Sequence, residues 1–122
     1  MASARILILD AEPLVRSVVA EILKRDGYIV EQASTVPAAL DLVTNRHTDL
    51  LLTNVYLPGM TGREAVQMFK NTWPNLPVLI VSGLPDSDVL REWTGKVGFD
   101  TFPKPFAAQE LLDKVHSILD KS

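Results

Sequence analysis

The chain contains no cysteine, which excludes a disulfide framework and any thiol chemistry. No apolar run approaches the ~20 residues of a membrane span, and the first residues lack the apolar core of a signal peptide. Lys and Arg are scattered and the formal net charge is −3, so nothing marks a nucleic-acid or membrane surface. No segment repeats at a solenoid period, and no linker or low-complexity stretch divides the chain. These absences point to a soluble, cytoplasmic protein of one domain, residues 1–122. That length sits where domains are most frequent, about 100–150 residues. With 47% apolar and 22% charged residues, the chain can bury a core without metal or disulfide.

What is present is an alternation. Ile6-Leu7-Ile8-Leu9, Leu50-Leu51-Leu52 and Val78-Leu79-Ile80-Val81 are short, continuously apolar runs. Continuous apolarity is the mark of a parallel strand buried on both faces. Tyr28-Ile29-Val30, introduced by Gly27, reads as a further strand, and Thr101-Phe102-Pro103 as a weaker fifth. Pro103 removes a ladder donor, which places that strand at an edge or makes it irregular. Between the strands, Leu14, Val15, Val18, Val19, Ile22 and Leu23 recur at helical spacing after Pro13, a residue suited to a first helical turn. Ser34-Thr35-Val36-Pro37 opens a second helix. Thr61 with Glu64 forms a capping-box pattern for a third, Asp86 or Ser87 caps a fourth, and a fifth runs from about Ala107 through Leu119. Strand and helix alternate five times, which argues an α/β fold: a five-stranded parallel sheet with helices on both faces.

The stretch around which the rest is organised is Asp49-Leu50-Leu51-Leu52-Thr53-Asn54-Val55-Tyr56-Leu57-Pro58-Gly59-Met60-Thr61-Gly62. An apolar strand ends at Asn54, and a Pro-Gly turn leads to a helix start. In open parallel sheets, chemistry collects at the carboxyl ends of strands. This stretch resembles the receiver domain of bacterial response regulators, whose hallmark is a strand ending in a phosphate-accepting Asp followed by a Leu-Pro-Gly-Met-type turn. The resemblance covers the chain end to end. It implies the (βα)5 plan in the flavodoxin-like strand order and a non-enzymatic role in two-component phosphorelay signalling.

The resemblance also implies a site of three acids, a hydroxyl and a lysine, the acids holding Mg²⁺. Here Asn54 stands at the acceptor position. After the first strand, Leu9-Asp10-Ala11-Glu12-Pro13 stands where the family has Asp-Asp-Glu-Pro. Asp10 matches the first acid and Ala11 replaces the second, while Glu12 belongs at the helix start. There Glu12 and Asp10 would in any case favour the positive end of the helix. An amide is a far poorer nucleophile than a carboxylate, and Mg²⁺ wants several hard oxygen ligands. The expectation is a site that forms no acyl phosphate and, with Asp10 its one matching acid, binds Mg²⁺ weakly or not at all, with no other cofactor. Ser82, followed by Gly83, matches the switch hydroxyl. Lys104 matches the family lysine, and the following Pro105 and Phe106 complete its Lys-Pro-Phe string, with Pro105 a candidate cis-proline. The switch aromatic is ambiguous. Anchoring on Lys104 assigns Thr101 and anchoring on Gly98 and Asp100 assigns Phe102, and a one-residue slip reverses the face of every side chain.

Among the remaining conspicuous residues, His47 and His116 read as isolated surface histidines, and Trp73 and Trp93 as packing residues. Three functions compete. The first is a degenerate receiver that binds a sensor kinase, an output domain or another signalling protein without a phosphorylation switch. Its face of fourth helix, fifth strand and fifth helix would be the place for partner docking or a homodimer. The second is an authentic phospho-receiver in which Asn54 is an introduced replacement for Asp, a reading that Ala11 opposes. The third is a flavodoxin-like cofactor binder. That requires a Gly- and hydroxyl-rich loop after the first strand, and Asp10-Ala11-Glu12-Pro13-Leu14-Val15-Arg16 has no glycine.

Overall fold

The structure, a computed structural model, describes residues 4–54, 56–57, 60–82, 99–103 and 108–120. Within these, the side chains of 56–57, 60–63, 82 and 99–103 lie outside the description. The elements run β1 (Arg5–Leu9), α1 (Pro13–Arg25), β2 (Ile29–Ala33), α2 (Val36–Asn45), β3 (Leu50–Asn54), β4 (Tyr56–Leu57), β5 (Met60–Thr61), α3 (Gly62–Thr72), β6 (Val78–Ser82), β7 (Phe99–Pro103) and α4 (Ala108–Asp120). The fourth helix expected from the sequence, with Trp93, lies outside the described residues; α4 is the helix expected fifth.

The main sheet is parallel, in the order β2-β1-β3-β6-β7. Its apolar strands serve two cores because successive side chains point to opposite faces. Leu7, Leu9, Leu51, Val78 and Ile80 join Val36, Ala39 and Val43 of α2 and Ala65, Val66 and Phe69 of α3. Ile6, Ile8, Leu50, Leu52, Leu79 and Val81 join Val19, Ala20 and Leu23 of α1 and Leu111, Val115 and Ile118 of α4. Continuous apolar runs are therefore required: every position in β1 from Ile6 to Leu9 is at most 1% exposed.

Edge strands read differently. β2 extends past the expected Tyr28-Ile29-Val30 into Glu31-Gln32-Ala33 because, paired only with β1, it tolerates polar residues. Glu31 there receives Arg5 of β1 at 3.0 Å. β7 lies at the opposite edge, where Pro103 costs least.

Two helix ends are fixed by local chemistry. Thr35 caps α2, its Oγ1 accepting the Ala38 N–H at 3.3 Å. At the end of α1, the Gly27 N–H bonds to the Lys24 carbonyl and the Tyr28 N–H to the Leu23 carbonyl. This pattern needs a left-handed residue, and Gly27 supplies it at φ +95°. The turn after β3 carries one feature not anticipated: it forms a small antiparallel hairpin, with Tyr56 opposite Thr61 and Leu57 opposite Met60. Glu64 lies in the first turn of α3, but the Thr61 side chain of the proposed capping box lies outside the description.

Candidate functional site at the carboxyl ends of β1 and β3

The chain steps from β1 outward to β2 and then back across to β3, so β1 and β3 are neighbours whose connections leave in opposite directions. Such a switch point opens a crevice at the carboxyl ends. Asp10, just past β1, and Asn54, the last residue of β3, meet there, both buried at 5% and 7% exposure.

Asp10 is held from several sides. Its backbone N–H bonds to the Ala33 carbonyl at 3.1 Å. Its carboxylate Oδ1 accepts the Glu12 N–H at 2.9 Å, a local turn that aims the chain into α1. The same oxygen faces the Asn54 amide Nδ2 at a long 3.4 Å. Arg16, one turn into α1, reaches back to donate from Nη1 to the Asp10 carbonyl at 2.7 Å. The amide of Asn54 therefore turns its donor toward the carboxylate. Beside it, buried Thr53 donates its hydroxyl to the Asn54 carbonyl at 3.1 Å.

Ala11 is half-buried and offers no polar side-chain atom. Glu12 is the exposed N-cap of α1 and makes no side-chain capping bond. The sequence-predicted acids therefore separate, with Asp10 in the crevice and Glu12 at its rim. The backbone of Ser82 ends β6 one residue beyond Val81, which stands beside Asn54 in the ladder. Thr101 stands beside Ile80 and Phe102 beside Val81, so both residues proposed for the switch aromatic lie in β7. Lys104, Pro105 and Phe106 lie outside the described residues. Among the described residues no group of three or more His, Cys, Asp or Glu is placed to hold a metal ion.

Sequence reasoning missed Arg16, although its place six residues after Asp10, one turn beyond the N-cap, is where a long side chain can fold back over the loop. It also read both histidines as isolated. His47 Nε2 contacts Asp49 Oδ1 at 2.8 Å, and His116 Nε2 contacts Asp26 Oδ2 at 2.6 Å, which ties α4 to the end of α1. Asp26 and His116 are 90 positions apart, so no local pattern could have paired them. Beside this pair, burial raises the Tyr28 phenol pKa above its ordinary value, and the nearby Asp26 and Asp120 carboxylates add to the effect.

The model of the response regulator receiver domain family matches residues 6–116. The chain belongs to that family. This receiver domain is 32% identical to sporulation initiation phosphotransferase F of Bacillus subtilis, over 98% of this chain and 96% of that protein. It is 34% identical to the response regulator MprA of Mycobacterium sp., over 97% of this chain but 51% of that protein, and so spans about half of that relative's length. Among solved structures, a CheY-like receiver domain protein from Methanospirillum hungatei superposes with a TM-score of 0.89 at 29% identity, covering 98% of this chain and 96% of that one. The receiver domain of NtrX from Brucella abortus gives 0.89 at 28% identity, covering 96% and 99%. The receiver domain is thus a signalling module of the two-component type, with the flavodoxin-like α/β fold. Among its described residues no helix is long and apolar enough to cross a membrane.

Proposed function

We propose that this receiver domain works as a protein-interaction module whose output does not depend on phosphorylation. One observation carries the reading: Asn54 ends β3 in the crevice with its amide facing Asp10 Oδ1, and on this reading it stands where the family's acceptor carboxylate would be. An amide oxygen lacks the charge and nucleophilicity to displace a leaving group from phosphorus. Ala11 removes a second carboxylate. The donor set then does not fit Mg²⁺, which seeks near-octahedral oxygen coordination. Among the described residues, Asp10 is the acid inside the crevice, and one of its oxygens is already engaged by the Glu12 N–H.

Without clustered carboxylates there is little repulsion for a cation to relieve, and hence little differential affinity with which a cation could shift a conformational equilibrium. The partner on this reading is a sensor kinase, an output domain or another signalling protein. Exposed apolar residues on α1 support such docking: Leu14 and Val18, one turn apart, are 83% and 60% exposed. On the same reading the site uses no cofactor.

Titration with millimolar Mg²⁺, followed by amide NMR, tests the fixed-site reading. The resonances of Asp10, Ala11 and Asn54 are expected to stay in place within the drift of exposed residues. Large saturable shifts at these three positions would contradict it.

A further inference from the structure

The turn from α1 into β2 meets α4 through a polar contact between residues 90 positions apart. Asp26, the C-cap of α1, places Oδ2 at 2.6 Å from His116 Nε2. The two side chains are partly covered, 33% exposed at Asp26 and 44% at His116. The imidazole also lies 6.0 Å from the Tyr28 ring, tilted by 52°. We propose that this pair is a proton-operated latch: with His116 protonated it pins α4 to the corner of α1 and β2, and with His116 neutral α4 opens locally more often. The latch is independent of the chemistry at Asn54.

Two kinds of contact hold α4. Leu111, Val115 and Ile118 are buried in the core cluster shared with α1 and the sheet, and their contribution does not change with pH. His116 stands beside that apolar face and joins α4 to a different element. Breaking the His116–Asp26 contact leaves the backbone hydrogen bonds of both helices in place, so its free energy goes into docking. Local opening of a terminal helix is the kind of motion such a contact controls.

The sign follows from the charges around the ring. A neutral imidazole can still donate one hydrogen bond to the carboxylate, but a protonated one makes a charge-assisted bond, which is roughly twice as strong. Asp26 also sits at the carboxyl end of α1, where a cation is favoured by the last carbonyls. On α4 itself, Asp113 and Asp120 lie three residues before and four after His116, spacings that share its face; Asp113 also accepts from Gln109 Nε2 at 2.9 Å. Opposing them among the described residues are Lys24 and Arg25 in the last turn of α1, with Arg25 turned to Glu21 at 4.0 Å. Lys114 precedes His116 by two residues, a spacing that does not face it. The direct contact with Asp26 therefore sets the sign. An ion pair made in the folded state adds stability while both partners are charged. That part is present on the acid side of histidine titration and is lost as pH rises through it, a change that histidines undergo between about pH 5 and 8. Tyr28 does not confuse the reading, because burial, then Asp26 and Asp120, raise its phenol pKa above the ordinary value.

Hydrogen exchange of the α4 amides tests the latch, measured at about pH 5.5 and 8.5, on either side of histidine titration. Each rate is divided by that of an unstructured chain at the same pH. In the unaltered chain, protection at residues 111–119 should fall by roughly three- to tenfold at the higher pH. His116→Gln and Asp26→Asn should each keep a low protection at both pH values, with unchanged circular dichroism. His47→Gln, which removes the other histidine, should keep the full pH response. Protection of α4 that is equal at the two pH values in the unaltered chain would overturn the proposal. So would a pH response that survives in His116→Gln or in Asp26→Asn, or one that disappears in His47→Gln.

Discussion

Replacing Ala11 and Asn54 together with aspartate is expected to turn this domain into one that takes a phosphoryl group from acetyl phosphate when Mg²⁺ is supplied. Asn54→Asp alone should remain slower by on the order of a hundredfold, because a missing metal ligand removes about 2–3 kcal/mol of transition-state stabilisation, and Ala11→Asp alone should take no phosphoryl group, because no nucleophile is present. Asn54→Asp restores an oxygen nucleophile that can bond to phosphorus as acetate leaves, but Ala11 still leaves the crevice short of an acid. Ala11→Asp restores the ligand and leaves an amide at the end of β3. The scaffold for the double variant is in place. Asp10 is anchored by the Glu12 N–H and by Arg16, and Asn54 is fixed by the ladder between β1 and β6.

The same double variant should lose stability without the cation. The 3.4 Å contact between the Asn54 amide and Asp10 Oδ1 becomes a contact between like charges in a buried site. The cost is on the order of 1–3 kcal/mol, and Mg²⁺ should recover it by binding the folded state. Rates by intact mass and midpoints in denaturant, each with and without Mg²⁺, check both expectations. A double variant no faster than Asn54→Asp alone would show that Ala11 is not limiting.

The second large effect is in the core. Phe69→Ala is expected to cost about 3–5 kcal/mol, a large part of the roughly 5–15 kcal/mol that holds a domain folded. Phe69 is fully buried, sits in the cluster shared by α2, α3 and the sheet, and carries Trp73 on its edge. Its removal leaves a cavity that rigid strands on one side cannot close. The neighbouring Met68, at 36% exposure, provides the contrast: Met68→Ala should change stability by no more than about 0.5 kcal/mol. Urea denaturation of the two variants measures this difference, and similar midpoints for both would contradict the assigned core.

The sheet was legible in the sequence because β1, β3 and β6 are buried on both faces, and burial on both faces imposes uninterrupted apolar runs. β2 was legible only at its start. As an edge strand it carries Glu31 and Gln32, which break the run, and its length follows from pairing with β1 rather than from its own pattern. The hairpin of β4 and β5 was hidden because two-residue strands carry no periodicity; only the Pro58-Gly59 turn showed. At the site, Asn54 could be placed from the end of a buried strand, where chemistry collects, and Asp10 beside it from the family resemblance. Arg16 could not, since its role depends on a side chain folding back along α1. The carboxylate partners of His47 and His116 were missed for different reasons. Asp49 is close in sequence but was read only as the start of a strand, whereas Asp26 reaches α4 only through the tertiary fold.

The measurement that bears most directly on the central claim is the intact mass of the unaltered protein after incubation with Mg²⁺ and acetyl phosphate. The account predicts a mass unchanged by any phosphoryl adduct, since Asn54 offers an amide where a carboxylate must attack. A stoichiometric adduct of one phosphoryl group would contradict it and return the domain to the phosphorylation-switched class.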